Sequence, residues 1–258
     1  SLTKNVTGMG AVPKYIGDRL NSFRTQYSKL YVLIRSCNLV IHEMKEDDTD
    51  MANACYATAY AMRGIAYYNL MRLFCEPYNK EKADDQLGLS IATRFDMEAR
   101  PKRSSLREVA SLIEEDLKKA ISYNSKSEIF RYTVDVVKAY LARLYFWTQN
   151  WEQAIPIAKE ILDAYPLVEG IAYTDMLSAQ HAQKGNILLR AYLYSNSSGD
   201  QNYKSAQGYL TVKPISKRFV DLFVEKDKDI RYAFSFDNKR VATKVPMACV
   251  RSAEMCLI

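Results

Sequence analysis

The sequence predicts a mainly α fold of helical hairpins with long ordered loops and a small β component. Three observations predict it. Only 9 of the 258 residues are glycine, which leaves little material for tight turns and strand bends. Apolar residues recur at three- and four-residue spacing over long stretches, the mark of helices with one buried face. Two such stretches are separated only by Gln149-Asn150, a link so short that the helices must run antiparallel.

The first helix is read over Asp18 to Met44, with Leu30, Leu33, Ile34, Cys37, Val40 and Ile41 inward and Glu46-Asp47-Asp48 ending it. Asp50 is placed to cap a second helix running to about Phe74. Ala52, Ala54, Ala57, Ala59, Ala61, Gly64 and Ala66 keep that helix smooth, so it packs closely against several neighbours. Periodicity then fails from Cys75 to Lys102, between the breakers Pro77 and Pro101, and the stretch is read as one long ordered loop. Ser105 and Glu108 form a capping box that opens a third helix to about Tyr123, with Val109, Leu112, Ile113, Leu117 and Ile121 inward.

The hairpin follows, as helices over about Val134 to Thr148 and Trp151 to Tyr165. Leu141, Ala142, Tyr145, Ala154, Ala158 and Pro166 fall at tetratricopeptide spacings, where small residues let two helices touch and proline stops the second. No clean second copy of the repeat is found. The hairpin is expected to pack on the Met51–Phe74 helix, and its second helix to bend at Pro156, which lacks the N–H that would bond the Glu152 carbonyl. Beyond it, alternation over Ile187 to Tyr194 predicts a strand, Ser216 to Phe223 a short helix, Tyr232 to Phe236 a strand, and Val250 to Ile258 the start of a helix.

Composition excludes several function classes. The net charge is +6, but cations and anions interleave, as in Glu114-Glu115-Asp116 before Lys118-Lys119, so no basic stripe for nucleic acid forms. Five cysteines are an odd number, and Cys37, Cys55 and Cys75 sit in or beside helical patterns without ligand spacing; they read as small buried apolar groups. His42 and His181 stand far apart, too little for a zinc site or a histidine-dependent triad. No metal or other cofactor is expected. Ser1 to Gly10 shows no signal peptide. The longest apolar stretch carries Arg63 at its middle, which at a bilayer centre would cost about 2.5–3.5 kcal/mol, so no membrane span is expected. As the only charge across two turns on either side in that helix, Arg63 requires an acidic partner if buried and is read as structural.

Several blocks in one order resemble the SusD/RagB family of outer-membrane nutrient-binding lipoproteins. Arg35-Ser36-Cys37-Asn38 resembles the family's first-helix motif. Ala59 and Arg63-Gly64-Ile65-Ala66-Tyr67, on to Leu70 and Phe74-Cys75-Glu76-Pro77-Tyr78, resemble its second helix and exit, with cysteine where the family has glycine. Leu87-Gly88-Leu89-Ser90, Glu114 to Ala120, Ala139 to Tyr145 and Arg251-Ser252-Ala253-Glu254 resemble further blocks. The resemblance implies a single domain over 1–258, incomplete relative to the family, with tetratricopeptide-like helices over about 18–166 and from 250 and an irregular ligand-facing part over about 167–249. It implies cell-surface exposure at the outer membrane through a lipid anchor that this chain lacks, no catalysis, a glycan or peptide nutrient, and a SusC-like TonB-dependent outer-membrane transporter as partner. The alternative reading is a tetratricopeptide scaffold for protein segments with no small ligand.

Sugar recognition needs flat aromatic faces beside planar polar side chains. Tyr78 with Asn79 in the long loop, and Arg190, Tyr192 and Tyr194 on one face of the expected strand, bring those types together. The plainer possibility is that Tyr78 anchors its loop and the strand tyrosines are packed. Trp147 and Trp151 flank the hairpin turn and are read as packing it. Glu114 and Glu115 are neighbours on a helix that do not face each other, so they are read as a solvated face rather than a glycosidase acid pair.

Overall fold

The computed structural model describes residues 20–45, 49–96, 98–126, 132–178, 185–189, 217–225, 228–229 and 232. The chain divides into two compact units, one over 13–164 and one over 1–12 with 165–258. In the first unit the helices are α1 (Leu20–Glu43), α2 (Asp50–Phe74), α3 (Leu106–Ser122), α4 (Val134–Trp147) and α5 (Trp151–Ala164). Two short strands, β1 (Leu87–Ser90) and β2 (Arg103–Ser105), pair antiparallel.

The mainly helical reading holds, with corrections of detail. Thr49, not Asp50, caps α2: its hydroxyl oxygen accepts from the Ala52 N–H at 3.2 Å. The Ser105 capping box is present in both directions, Glu108 N–H to Ser105 Oγ and Ser105 N–H to Glu108 Oε2. The stretch read as an unbroken loop contains β1. Gly88 explains why β1 lies where it does: a Cβ there would come within 2.6 Å of the Ser105 carbonyl oxygen, so only glycine lets the strand approach so closely.

Helix α2 is the central element of this unit and packs against α1, α3 and β1. Its small residues do the work expected of them, and a Cβ on Gly64 would meet Asp116 Cβ and Leu117 Cδ2 on α3, each at 3.2 Å. The core joins Ile34 of α1, Tyr67, Tyr68 and Leu70 of α2, Val109, Ile113 and Leu117 of α3, and Leu144 of α4. The α4–α5 hairpin packs chiefly on α3 rather than on α2 as expected; α4 still meets α2 directly, with Tyr140 edge-on to Tyr68 at 6.1 Å and Arg143 over the Tyr68 ring at 5.6 Å.

The hairpin turn is closed without glycine. Gln149 takes a left-handed φ of 59°, Gln149 N–H donates to Phe146 O and Asn150 N–H to Tyr145 O, the paired bonds that end a helix in a Schellman turn. Asn150 O then accepts the first bonds of α5. Ala154 is buried as the repeat spacing requires, but Ala158 is exposed, so only the first of the two small residues lies in the helix contact. Helix α5 continues through Pro156.

In the second unit α6 (Gly170–Ser178), unforeseen in the sequence, and α7 (Lys217–Val220) are described. Gly185, at φ 61°, sits against Met176 and Val168. Ile187, Leu188 and Leu189 form no strand, and it is Leu188 that is buried; Tyr232 lies in a helical turn, its N–H donating to Asp229 O, rather than in a strand. Arg190, Tyr192, Tyr194, His181 and the Val250–Ile258 segment lie outside the described residues.

Candidate functional site

The motif residues on α1, α2 and α3 converge on a buried polar centre. Asn38, Arg63 and Asp116 are 1%, 5% and 2% exposed, which places them in the core although each is polar. Arg63 donates from Nε to Asp116 Oδ2 at 2.8 Å and from Nη2 to Asp116 Oδ1 at 2.6 Å, and from Nη1 to Asn38 Oδ1 at 2.8 Å. The fork of the guanidinium thus meets both carboxylate oxygens, the geometry in which such a pair is strongest. Burial works against both charges: it pushes the Asp116 carboxyl up, while the carboxylate beside Arg63 more than offsets the burial that would pull the guanidinium down.

This centre positions the loop after β1. Asn38 Nδ2 donates to Ala92 O at 2.9 Å, Tyr67 OH accepts from Ala92 N–H at 2.7 Å, and Tyr31 OH donates to Ser90 O at 2.8 Å. Arg63 Nη1 and the His42 ring reach Thr93 O as well. An irregular segment is thereby held by side chains of two helices, its backbone polar groups satisfied where no strand partner exists. Burial raises the Tyr31 and Tyr67 phenols and pushes the Cys37 thiol up to about 11, so all three stay neutral near pH 7.

One end of the unit gathers the chemistry that suits a ligand. There α2 ends, the Cys75–Gln86 segment leaves it, α3 begins, and α4 turns into α5. Tyr78 packs partly buried against the core, and its hydroxyl accepts from Arg107 Nη1 at 3.4 Å. Arg107 also binds Asp84 Oδ1 at 2.7 Å and Lys80 O at 2.9 Å, which fixes this loop to α3. Asn79 is exposed; its Oδ1 accepts from Glu81 N–H and its own N–H donates to Gln86 Oε1, so it shapes the turn. Glu114 is held by Lys118 and by the Tyr145 hydroxyl at 2.8 Å, which leaves it an ion-paired surface carboxylate rather than half of an acid pair.

Near the end of α2, the turn of the hairpin carries Phe146, Trp147 and Trp151. Phe146 stands edge-on to both indoles, with centroids 5.9 Å from Trp147 and 5.2 Å from Trp151. The Arg72 guanidinium, at the end of α2, lies 5.0 Å over the Trp147 ring. Trp147 and Trp151 touch this small cluster, yet they remain 44% and 49% exposed, more open than residues that merely pack the hairpin. Phe146 and Arg72 were not singled out in the sequence. An aromatic pair at 146–147 followed by a third ring after only three residues was the available signal.

The comparisons with known proteins fit this architecture. A family model described as starch-binding, associating with outer membrane, matches residues 12–146, more than half of the chain. The chain belongs to the SusD-like family. Comparison with curated proteins found no match. Among solved structures, a Bacteroides vulgatus protein assigned to sugar binding aligns at 22% identity and a TM-score of 0.68, over 87% of this chain and 54% of that one. A SusD superfamily protein of Bacteroides thetaiotaomicron aligns at 21% and 0.67, over 89% and 53%, and a SusD-like carbohydrate-binding protein of Bacteroides vulgatus at 21% and 0.60, over 86% and 51%. The chain spans about half the length of these SusD-like structures. At such identity they establish a shared fold. Among the described residues, no helix is long and apolar enough to cross a membrane.

Proposed function

We propose that this chain is the helical scaffold of a non-catalytic protein that binds a glycan or oligosaccharide at the cell surface and delivers it to a SusC-like, TonB-dependent outer-membrane transporter. The observation that carries the reading is the family match over 12–146, which spans the Asn38–Arg63–Asp116 centre and the loop that it holds. The fold shared with a solved SusD-like carbohydrate-binding protein supports it. In the full-length protein a lipid anchor holds the molecule at the outer membrane. Either the loop around Tyr78 and Asn79 or the residues Arg190, Tyr192 and Tyr194 meet the nutrient, while the rigid helical hairpins meet the transporter.

Two further features support this division of labour. On the outer face of α5, Ile155 and Leu162 are 66% and 52% exposed, an apolar stripe of the kind that another protein surface covers. Asp116 and Glu114 are each engaged by a cation, which favours holding over turnover, since a general acid needs a proton free to move. A glycan array probed with the full-length protein, with the transporter sought by co-purification from detergent-solubilised outer membranes, tests the reading. Binding to at least one glycan class together with recovery of a TonB-dependent transporter is expected. Recovery of protein partners with no glycan bound would favour the scaffold alternative.

A further inference from the structure

We propose that the aromatic cluster at the α4–α5 turn, Trp147 and Trp151 braced by Phe146 and Arg72, is a stacking site for the apolar faces of a neutral pyranose chain. The inference rests on the glycan-binding reading and adds a location to it. The family match ends at residue 146, so the two indoles lie past the residues that it covers.

Four observations point to a sugar. Both indoles are about half exposed although each is in ring contact, so they are held in place without being buried. A pyranose offers C–H groups on one face, which pack on an indole much as an apolar side chain does, and the ring needs little reorganisation because its own position is preset. Phe146, at 85° to one indole and 79° to the other, supports their edges rather than covering them. Arg72 is the fourth element: stacked on Trp147 and also 5.5 Å from the Tyr68 ring, its guanidinium keeps N–H donors at the margin of the cluster for sugar hydroxyls. The cluster stands on α4, α5 and the end of α2, and the Schellman bonds fix its turn, so the geometry is preformed. A protein partner is the rival occupant. The apolar stripe that would suit one continues down α5 through Ile155 and Leu162, whereas the cation and the ring faces collect at the turn.

The chain has 2 tryptophans, both in the cluster, so its indole emission reports on this site alone. The intact chain is titrated with maltoheptaose, laminarihexaose and xylohexaose while emission, acrylamide quenching and heat are read. The expected result is that at least one sugar shifts the emission to the blue and protects it from quenching. Trp147→Ala and Trp151→Ala should each weaken that sugar by about three- to tenfold, as expected for the loss of one stacking contact. Trp147→Tyr, which retains a ring, should recover most of the affinity, and circular dichroism should show all three variants folded. Unchanged affinity in both alanine variants, with the wild-type chain still binding, overturns the cluster as the site and leaves the glycan reading standing. Failure of the wild-type chain to bind any of the three overturns the cluster as a site for neutral pyranose chains, and the array on the full-length protein then decides the glycan reading by itself. Emission that ignores sugar and shifts with protein concentration assigns the face to a second copy and overturns the proposal.

Discussion

Arg63 on α2 and Asp116 on α3 form a two-point ion pair in the core, with side chains 6% and 3% exposed and the closer contact at 2.6 Å. The pair ties the two most intimately packed helices together and, through Asn38 and Thr93, ties both to α1 and to the loop after β1. Removing one partner strands the other as a buried, unpaired charge. Arg63→Met is therefore expected to cost about 3–5 kcal/mol in urea unfolding. The double variant Arg63→Met with Asp116→Leu should recover most of that loss, because an apolar pair of similar volume needs no compensation. Equal destabilisation in the single and double variants would show that the pair's charge is not the issue.

Gly88 and Gly64 separate two kinds of close approach. Gly88→Ala would press a methyl against the Ser105 backbone at 2.6 Å and the Val109 side chain at 2.8 Å, so the β1–β2 pairing must shift. Gly64→Ala meets only side-chain atoms at 3.2–3.3 Å, which give more readily. Thermal melts should show the first variant destabilised by about 1–3 kcal/mol and the second by less. The reverse order would place the critical contact between the helices rather than at the strand.

Ala154 and Ala158 lie one turn apart on α5, and burial distinguishes them. Ala154→Leu adds volume where α5 meets α4 and should cost about 1–3 kcal/mol by chemical denaturation, while Ala158→Leu should stay within about 0.5 kcal/mol of the parent. Comparable losses at both sites would mean that the whole length of α5 is tightly packed.

Alkali should destabilise the first unit. Burial raises the Cys37 thiol from 9.0 to about 11 and raises the phenols of Tyr31, Tyr67, Tyr68 and Tyr140, so each releases its proton more easily once unfolded. Between about pH 9 and 11 the native state binds more protons than the unfolded one, and stability falls as pH rises. Melting temperatures across that window should decline. A flat profile would contradict the burial of these groups.

What could be read from sequence, and what could not, divides along the range of the interaction. The Ser105–Glu108 box, the two-residue link and the periodic faces of α1 to α5 are local patterns, and the structure repeats them nearly residue for residue. The need of Arg63 for an acid was legible as well, but Asp116 lies 53 residues away among other acids, and only packing selects it. The strands β1 and β2 escaped because four and three residues, one of them Gly88, carry too little alternation. Helix α6 has no acidic residue in its first turn, and Glu169-Gly170 at its start offers none of the Ser, Thr, Asp or Asn signals that mark a cap in sequence. The candidate site was the least legible part. Tyr78 and Asn79 showed the right chemistry, but the structure shows how Arg107 and Gln86 engage them, and the openness of Trp147 and Trp151 depends on what lies across the hairpin turn, which no local pattern encodes.

Holding a glycan without altering it is the activity proposed for this protein. The most direct test incubates the full-length protein with maltoheptaose, the soluble fragment of the polymer in the family's description, and reads bound heat by calorimetry and chain length by mass spectrometry. The account predicts saturable, weak binding and an intact heptasaccharide after prolonged incubation. Shortened chains, or no binding to maltoheptaose or to any other glycan, would contradict it.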